Sequence, residues 1–297
     1  MEPTPTLRFV ARAGAALGPA LAPIVRSIWA SAGPAPAPEE RVLPDGGGAL
    51  LLNLGPALRT GVGPVDEAWG TGAALVSGAQ RTWAAVRYPP GAPHEQVGVL
   101  FWAGGLAALI PAAEGLAEAA QLGPLVGLGP GQALADGLAE RLAALPGLGA
   151  RVELMAQVLT AIAAANGAAG RAPLGAQVMA LCAAAPAAAA AEVAARSGWT
   201  AQHLNRRLRA EGGLSVKGLQ RVVRLQAALR ALRGPAPVGV IGSALRYADQ
   251  AHFAHELREM TGLSAGALLR LAAPAADRVL SLPAEVQILQ GRRSGQP

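Results

Sequence analysis

Gly198-Trp199-Thr200-Ala201-Gln202-His203-Leu204-Asn205-Arg206-Arg207-Leu208-Arg209 reads as a tight turn, a helix N-cap and a short basic helix. Gly198 can supply the positive φ that closes a preceding helix, and Thr200 can accept from the backbone N–H groups that open the next. Leu204 and Leu208 stand four apart and so share one buried face. Gln202, Asn205, Arg206 and Arg209 fall on the opposite face. Long guanidinium donors beside amides that both donate and accept are the groups that hydrogen-bond base edges in a DNA major groove. Upstream, the Ala-rich run from Ala187 to Arg196 predicts a supporting helix, with Val193 and Ala194 under the turn and Ala194 small enough for a close crossing. Taken alone, the stretch fits a helical hairpin with a solvated basic face equally well.

A second unit follows about fifty residues later. Arg246-Tyr247-Ala248-Asp249-Gln250-Ala251-His252-Phe253-Ala254-His255-Glu256-Leu257-Arg258 again gives a turn, a cap (Asp249), an apolar pair four apart (Phe253, Leu257) and a polar outer face. Between the copies, Gly212-Gly213-Leu214-Ser215 ends one helix and caps another. That connecting helix, Val216 to Arg233, carries apolar Leu219, Val222, Val223, Leu225, Ala228, Leu229 and Leu232 beside Lys217, Arg221, Arg224 and Arg230. Two such units on one helix can address successive major-groove faces of a duplex.

The ordered segments GWTAQHLNRRLRAEGGLS (198–215), RLQAA (224–228) and RYADQAHFAHELREMTGLS (246–264) give the region from about Leu174 to Leu271 a family likeness. It resembles the DNA-binding domain of AraC/XylS-type transcriptional regulators. The resemblance implies a cytoplasmic, sequence-specific DNA-binding regulator of transcription. Gln202, Asn205, Arg206 and Arg209 would read base edges, while Arg207, Lys217, Arg221 and Arg258 would sit on phosphates. Gln250, Ala251 and His255 form the outer face of the second unit. Departures from the family pattern gather there: Arg246 stands where Gly is usual, Gly239 and Gly242 weaken the supporting helix, and His255 replaces an Arg. The first unit is therefore expected to carry most of the sequence reading and the second to sit mainly on phosphates.

Charge is distributed accordingly. Residues 1–186 hold ten Lys and Arg against twelve Asp and Glu, whereas residues 187–273 hold twelve against five. A basic excess confined to one segment of a 297-residue chain favours nucleic acid over a general surface effect.

Residues 1–146 read as a β-rich putative sensor domain. Val25–Ala30, Val42–Leu43, Ala49–Leu54, Ala73–Val76, Thr82–Tyr88 and Gln96–Trp102 are short apolar runs between Gly and Pro clusters, the spacing of a barrel or sandwich. Ile28-Trp29, Arg41-Val42-Leu43-Pro44-Asp45-Gly46 and Gly98-Val99-Leu100-Phe101 before Gly104-Gly105 resemble the sensor-like domain of one AraC-type subgroup, which implies a cupin-like fold with added helices and fixes no ligand. The fold class expected is thus α+β multidomain, with an all-α C-terminal domain. Residues 147–173 form a helix and linker whose wide apolar stripe packs on the front domain or on a second copy, as a homodimer. The double helix-turn-helix spans 174–273, and 274–297 is a polar or frayed tail.

No enzyme, metal or cofactor is expected. His94 is the only histidine before residue 203 and reads as an exposed turn residue. Gly46–Gly48 and Gly127–Gly131 lack phosphate-loop spacing. Cys182, the single cysteine, reads as a small buried hydrophobe. The uncharged stretches Gln96–Ala113 and Ala172–Ala191 are too broken by Gly and Pro, or too weakly apolar, to span a membrane. Expected partners are double-stranded DNA, a small-molecule effector with Trp69 in the Gly-rich loop 61–72 as its contact, and RNA polymerase if the protein activates. The alternative is a ligand-sensing interaction protein with a degraded DNA-binding domain.

Overall fold

Alternation along the front half of the chain builds two antiparallel sheets, and the helical periodicity of the back half builds a separate layer of helices against them. The computed structural model describes residues 7–35, 39–61, 67–69, 74–110, 120–123, 137–186, 188–272 and 288–290. Eleven strands are described: β1 (Arg8–Ala13), β2 (Val25–Pro34), β3 (Glu39–Val42), β4 (Ala49–Asn53), β5 (Leu58–Gly61), β6 (Glu67–Trp69), β7 (Ala74–Ser77), β8 (Ala84–Arg87), β9 (Pro93–Phe101), β10 (Ala120–Gly123) and β11 (Ile288–Gln290). The first sheet runs β1-β2-β9-β4-β7-β10 and the second β11-β3-β8-β5-β6.

Register sorts the side chains of the first sheet. Ile28 pairs with Val99 and Ala30 with Val97, and across the next ladder Leu50 and Leu52 meet the same two valines. These residues share one face and bury against α1 (Gly18–Leu21), α2 (Gly105–Leu109), α3 (Leu138–Ala143) and above all α4 (Leu148–Ala165). Val152, Met155, Val158, Leu159 and Ile162 of α4 are all buried there, so its apolar stripe meets its own front domain. Each such side chain contributes about 1.5–3 kcal/mol. By length and composition α4 could cross a membrane, but half of it is buried inside the molecule. The opposite face of the sheet meets the second sheet, with Leu51 and Leu75 packed on Leu58, Val86 and Tyr88.

Several expectations need correction. Trp69 was expected in a loop, yet its backbone lies in β6 opposite Leu58; its side chain is outside the described residues. His94 is buried in β9 rather than exposed on a turn, because Pro93 is tolerated as the first strand residue and starts the strand early. The tail supplies β11, which pairs with β3. Strands β1, β5, β6, β10 and β11 escape the sequence pattern; they lie at or beside sheet edges, where little apolar area is required. Gly127–Gly131 lies outside the described residues.

The back half comprises α5 (Leu174–Ala184), α6 (Ala190–Arg196), α7 (Ala201–Gly212), α8 (Val216–Ala231), α9 (Val238–Ala244), α10 (Gln250–Thr261) and α11 (Ala265–Ala272). Helix α8 is the spine: Leu219, Val222, Val223, Leu225, Ala228 and Leu229 bury against Leu204 and Leu208 of α7 and Phe253 and Leu257 of α10. Cys182 is buried in the same core, and burial pushes its thiol up to about 11.

The second unit carries the strain that its sequence implies. Arg246 has φ 58°, the one positive value outside glycine among the described residues. Gly242 lies close against Phe253, so that a Cβ there would come within 3.0 Å of its Cδ1 and displace the ring by a few tenths of an ångström, whereas a Cβ at Gly239 would meet nothing within 4 Å outside its own helix backbone. Gly239→Ala should therefore stabilise the chain by about 1 kcal/mol, and Arg246→Gly by about 1 kcal/mol, while Gly242→Ala should not. Urea unfolding of the three variants checks this ordering; a stabilising Gly242→Ala would contradict the close crossing.

Candidate nucleic-acid interface

Each helix-turn-helix is assembled from local signals. In the first, Gly198 takes φ 76° after α6, and Thr200 accepts from the His203 N–H at 3.3 Å to start α7. Gly213 closes α7 at φ 76°, and Ser215 caps α8 by accepting from the Gly218 N–H at 3.2 Å. In the second, Asp249 accepts from the His252 N–H at 2.7 Å to start α10, and Gly262 closes it at φ 68°.

The outward faces of both recognition helices are open. Gln202, Arg206, Arg207 and Arg209 on α7 are exposed, as are Lys217 on α8 and Gln250, Ala251, His255 and Arg258 on α10. Asn205 is different. Its amide donates to the Ala201 carbonyl at 2.9 Å and accepts from the Val216 N–H at 3.0 Å, so it ties α7 to the start of α8. Arg221 also has other work. It reaches Glu256 at 3.1 Å and Glu259 at 2.8 Å, while Glu256 accepts from the Tyr247 hydroxyl at 2.7 Å and from Arg224 at 3.5 Å. This buried carboxylate fixes α10 to α8 and leaves Arg221 engaged inside the protein.

His203 is a residue that sequence reasoning passed over. Its ring stacks on Trp199 with centroids 4.4 Å apart and planes 9° from parallel, and its Nδ1 accepts from Arg206 at 3.0 Å. Trp199, His203 and Arg206 follow one another at helical spacings, which was the available signal. The array holds the Arg206 guanidinium beside the start of the helix, restricting its rotamers before any duplex arrives.

The front domain grips the other ends of these helices. Arg81 donates to the Gly213 carbonyl at 3.3 Å, and its neighbour Thr82 to the Glu259 carbonyl at 2.9 Å. Arg41 donates to the Thr261 carbonyl at 3.3 Å and lies 4.2 Å over the Trp83 ring, against which Gly262 packs. Gln226 donates to the Pro44 carbonyl at 2.6 Å. At the end of α7, the Glu211 carboxylate accepts from the Leu174 and Gly175 N–H groups at 3.0 and 2.7 Å, an anion placed at the positive end of α5.

Between the two sheets lies a second polar cluster. Tyr88 donates to Glu40 at 2.6 Å, and His94 Nε2 bonds to the Ser31 hydroxyl; all four residues are buried. Among the described residues, no three His, Cys, Asp or Glu gather as metal ligands. Burial raises Glu40 from 4.5 to about 7, against the lowering effect of the Tyr88 hydrogen bond, and lowers His94 from 6.5 to about 4. From pH 4.5 to 6.5 the folded chain keeps a proton on Glu40 that the unfolded chain releases, so that group loses stability as pH rises. Over the same window the folded chain refuses a proton on His94 that the unfolded chain takes up, so that group gains stability as pH rises. The slopes, each at most ~1.4 kcal/mol per pH unit, oppose each other. Relative to the parent, Glu40→Gln should therefore become more stable from pH 4.5 to 6.5, and His94→Gln less stable. Urea midpoints measured across that range test the pair; profiles parallel to the parent in both variants would refute it.

A helix-turn-helix domain family model matches residues 193–270. No curated protein matches the chain by sequence. Among solved structures, ToxT from Vibrio cholerae aligns with TM-score 0.47 at 6% identity over 90% of this chain and 98% of that one. An unsaturated fatty acid-bound ToxT gives 0.47 at 7% over 91% and 97%, and the AraC-like transcriptional activator CuxR gives 0.27 at 14% over 69% and 78%. Identity this low fixes nothing about ligands or residue roles. The matched region coincides with the two capped units on α8, and residues 193–270 are matched as a helix-turn-helix domain.

Proposed function

We propose that the chain is a sequence-specific DNA-binding transcription regulator whose front domain responds to a small-molecule effector. The observation that carries this reading is the pair of capped recognition helices, both open to solvent on their polar sides and joined by one helix, in the segment that holds the basic excess. Gln202, Arg206 and Arg209 read base edges. Asn205, with its amide engaged at Val216, acts as a brace instead. Arg207, Lys217 and Arg258 take phosphates, and Arg221 holds the two units together. Gln250, Ala251 and His255 face the duplex from the second unit, which contributes position more than reading. The protein works in the cytoplasm and touches RNA polymerase if it activates; the apolar stripe that would have served a homodimer is taken up by the front domain, so pairing would need another surface.

A reading as an interaction protein without specific DNA binding draws on the strained Arg246 turn and on the engagement of Arg221. Selection of bound sequences from a random DNA pool separates the two, because a regulator enriches one site and an interaction protein enriches none. On the selected site, Arg206→Ala should cost about 1–3 kcal/mol and relax one base position. His203→Phe keeps the stack on Trp199, removes the acceptor for Arg206, and should relax the same position with little loss of non-specific affinity. Lys217→Ala should weaken every sequence alike and flatten the salt dependence; a changed base preference in that variant would contradict a phosphate role.

A further inference from the structure

Arg246 adopts a backbone conformation that an arginine resists. Its φ of 58° lies in the left-handed region, where a Cβ crowds the backbone and glycine has none to crowd it. The neighbours fix it there. The Arg246 N–H donates to the Ser243 carbonyl at 3.0 Å, and the Tyr247 N–H to the Gly242 carbonyl at 3.1 Å. Tyr247 is itself buried, with its hydroxyl on Glu256. At the corresponding turn of the first unit the left-handed residue is Gly198, at φ 76°. A side chain kept where glycine is relaxed points to a role for that side chain.

The side chain is free to take one. Arg246 is exposed, and among the described residues no hydrogen bond or ion pair engages its guanidinium. Other cations of the second unit are committed: Arg221 and Arg224 pair with Glu256, and Arg221 also with Glu259.

The second unit is short of positive charge where it would meet a duplex. In helix-turn-helix docking the N-terminal residues of the recognition helix enter the major groove, so the turn just before them lies at the groove edge. The first two turns of α7 bring Arg206 and Arg207 there. By contrast, the first two turns of α10, Gln250 to Glu256, hold no Lys or Arg, and Arg258 stands in the last turn. Helix α10 also starts on a carboxylate, since Asp249 caps it where neutral Thr200 caps α7, and a carboxylate at the groove edge repels phosphate. Arg246 stands three residues before that cap. Three residues span at most about 10 Å, against a groove about 12 Å wide, so an arginine side chain at this point reaches the flanking backbone.

We propose that Arg246 binds a backbone phosphate of the DNA at the edge of the major groove entered by α10. The contact rests on the reading of the chain as a DNA-binding regulator, and it supplies the second unit with the charge that its recognition helix lacks. A phosphate carries no base identity, so Arg246 adds affinity to every sequence alike and sets the position of the second unit on the duplex.

Two substitutions in the full chain separate the charge from the backbone. Arg246→Gln removes the charge and keeps a Cβ at positive φ, so its urea midpoint should stay near that of the parent. Arg246→Gly removes both, so its midpoint should rise. Both variants should bind the selected site and random duplex about 3–10-fold more weakly at about 0.15 M salt, with the slope of log K against log salt smaller in size by about 0.9. Arg246→Lys should restore the slope. Replacing the phosphates of the selected site one at a time by uncharged methylphosphonate should find one position that weakens the parent about 3–10-fold and leaves Arg246→Gln unmoved. An unchanged salt slope in both variants overturns the proposal, as does a changed base preference, or a scan in which no phosphate distinguishes Arg246→Gln from the parent. A parent that enriches one site while the variants match it in slope removes the contact and keeps the regulator. A parent that enriches no site removes the regulator and the contact together.

Discussion

Arg81 and Thr82 are consecutive in the front domain, yet one donates to the carbonyl that follows α7 and the other to a carbonyl in the last turn of α10. The last carbonyls of a helix have no partner within it, so a donor brought there satisfies groups that would otherwise need water. Since the two donors belong to neighbouring residues, the distance between the two helix ends cannot change without breaking a hydrogen bond. From the other side the spacing is set by α8, through the Asn205 brace to the first unit and the Glu256 cluster to the second. Successive major grooves of B-DNA recur every 34–36 Å or so, and a reader of two grooves works only if its two helices hold a matching separation. The two helices are thus gauged twice, once from inside their own domain and once by the front domain.

The second sheet gives that outer gauge a route to the interior. Glu40 and Arg41 are consecutive in β3, and strand geometry turns them to opposite faces. Glu40 points between the sheets and takes the Tyr88 hydrogen bond, while Arg41 reaches the Thr261 carbonyl at the end of α10. Trp83, just before β8, completes the contact by lying under Arg41 and against Gly262. One peptide unit therefore separates the polar interior from the end of a recognition helix. A rearrangement of β3 is felt on both sides of the sheet.

The parts of this architecture written in the sequence are those set by neighbours along the chain. The caps Thr200, Ser215 and Asp249, the helix-closing glycines, and the apolar pairs Leu204/Leu208 and Phe253/Leu257 all depend on residues within four positions, and the strained Arg246 followed from the same local logic. What escaped depends on partners far away. The Asn205 bond to the Val216 N–H crosses the turn between α7 and α8, and the Arg221 pair with Glu256 joins α8 to α10, so neither contact is announced by neighbouring residues. His94 beside Pro93 and Gly91 suggests an exposed turn, because nothing local announces Ser31, its partner 63 residues earlier. Gly242 reads as a helix weakness, yet it lies close against Phe253.

The pairing of Ile288–Gln290 with β3 ties the far end of the helical domain to the front half. That domain leaves the front half after α4, at a linker whose Gly170 N–H bonds back to the Ala20 carbonyl, and returns to it at β11. The helical domain is therefore bracketed in sequence by two attachments to the front half, the bond at Gly170 and the β11–β3 ladder, in addition to the contacts made by Arg41, Arg81, Thr82 and Gln226.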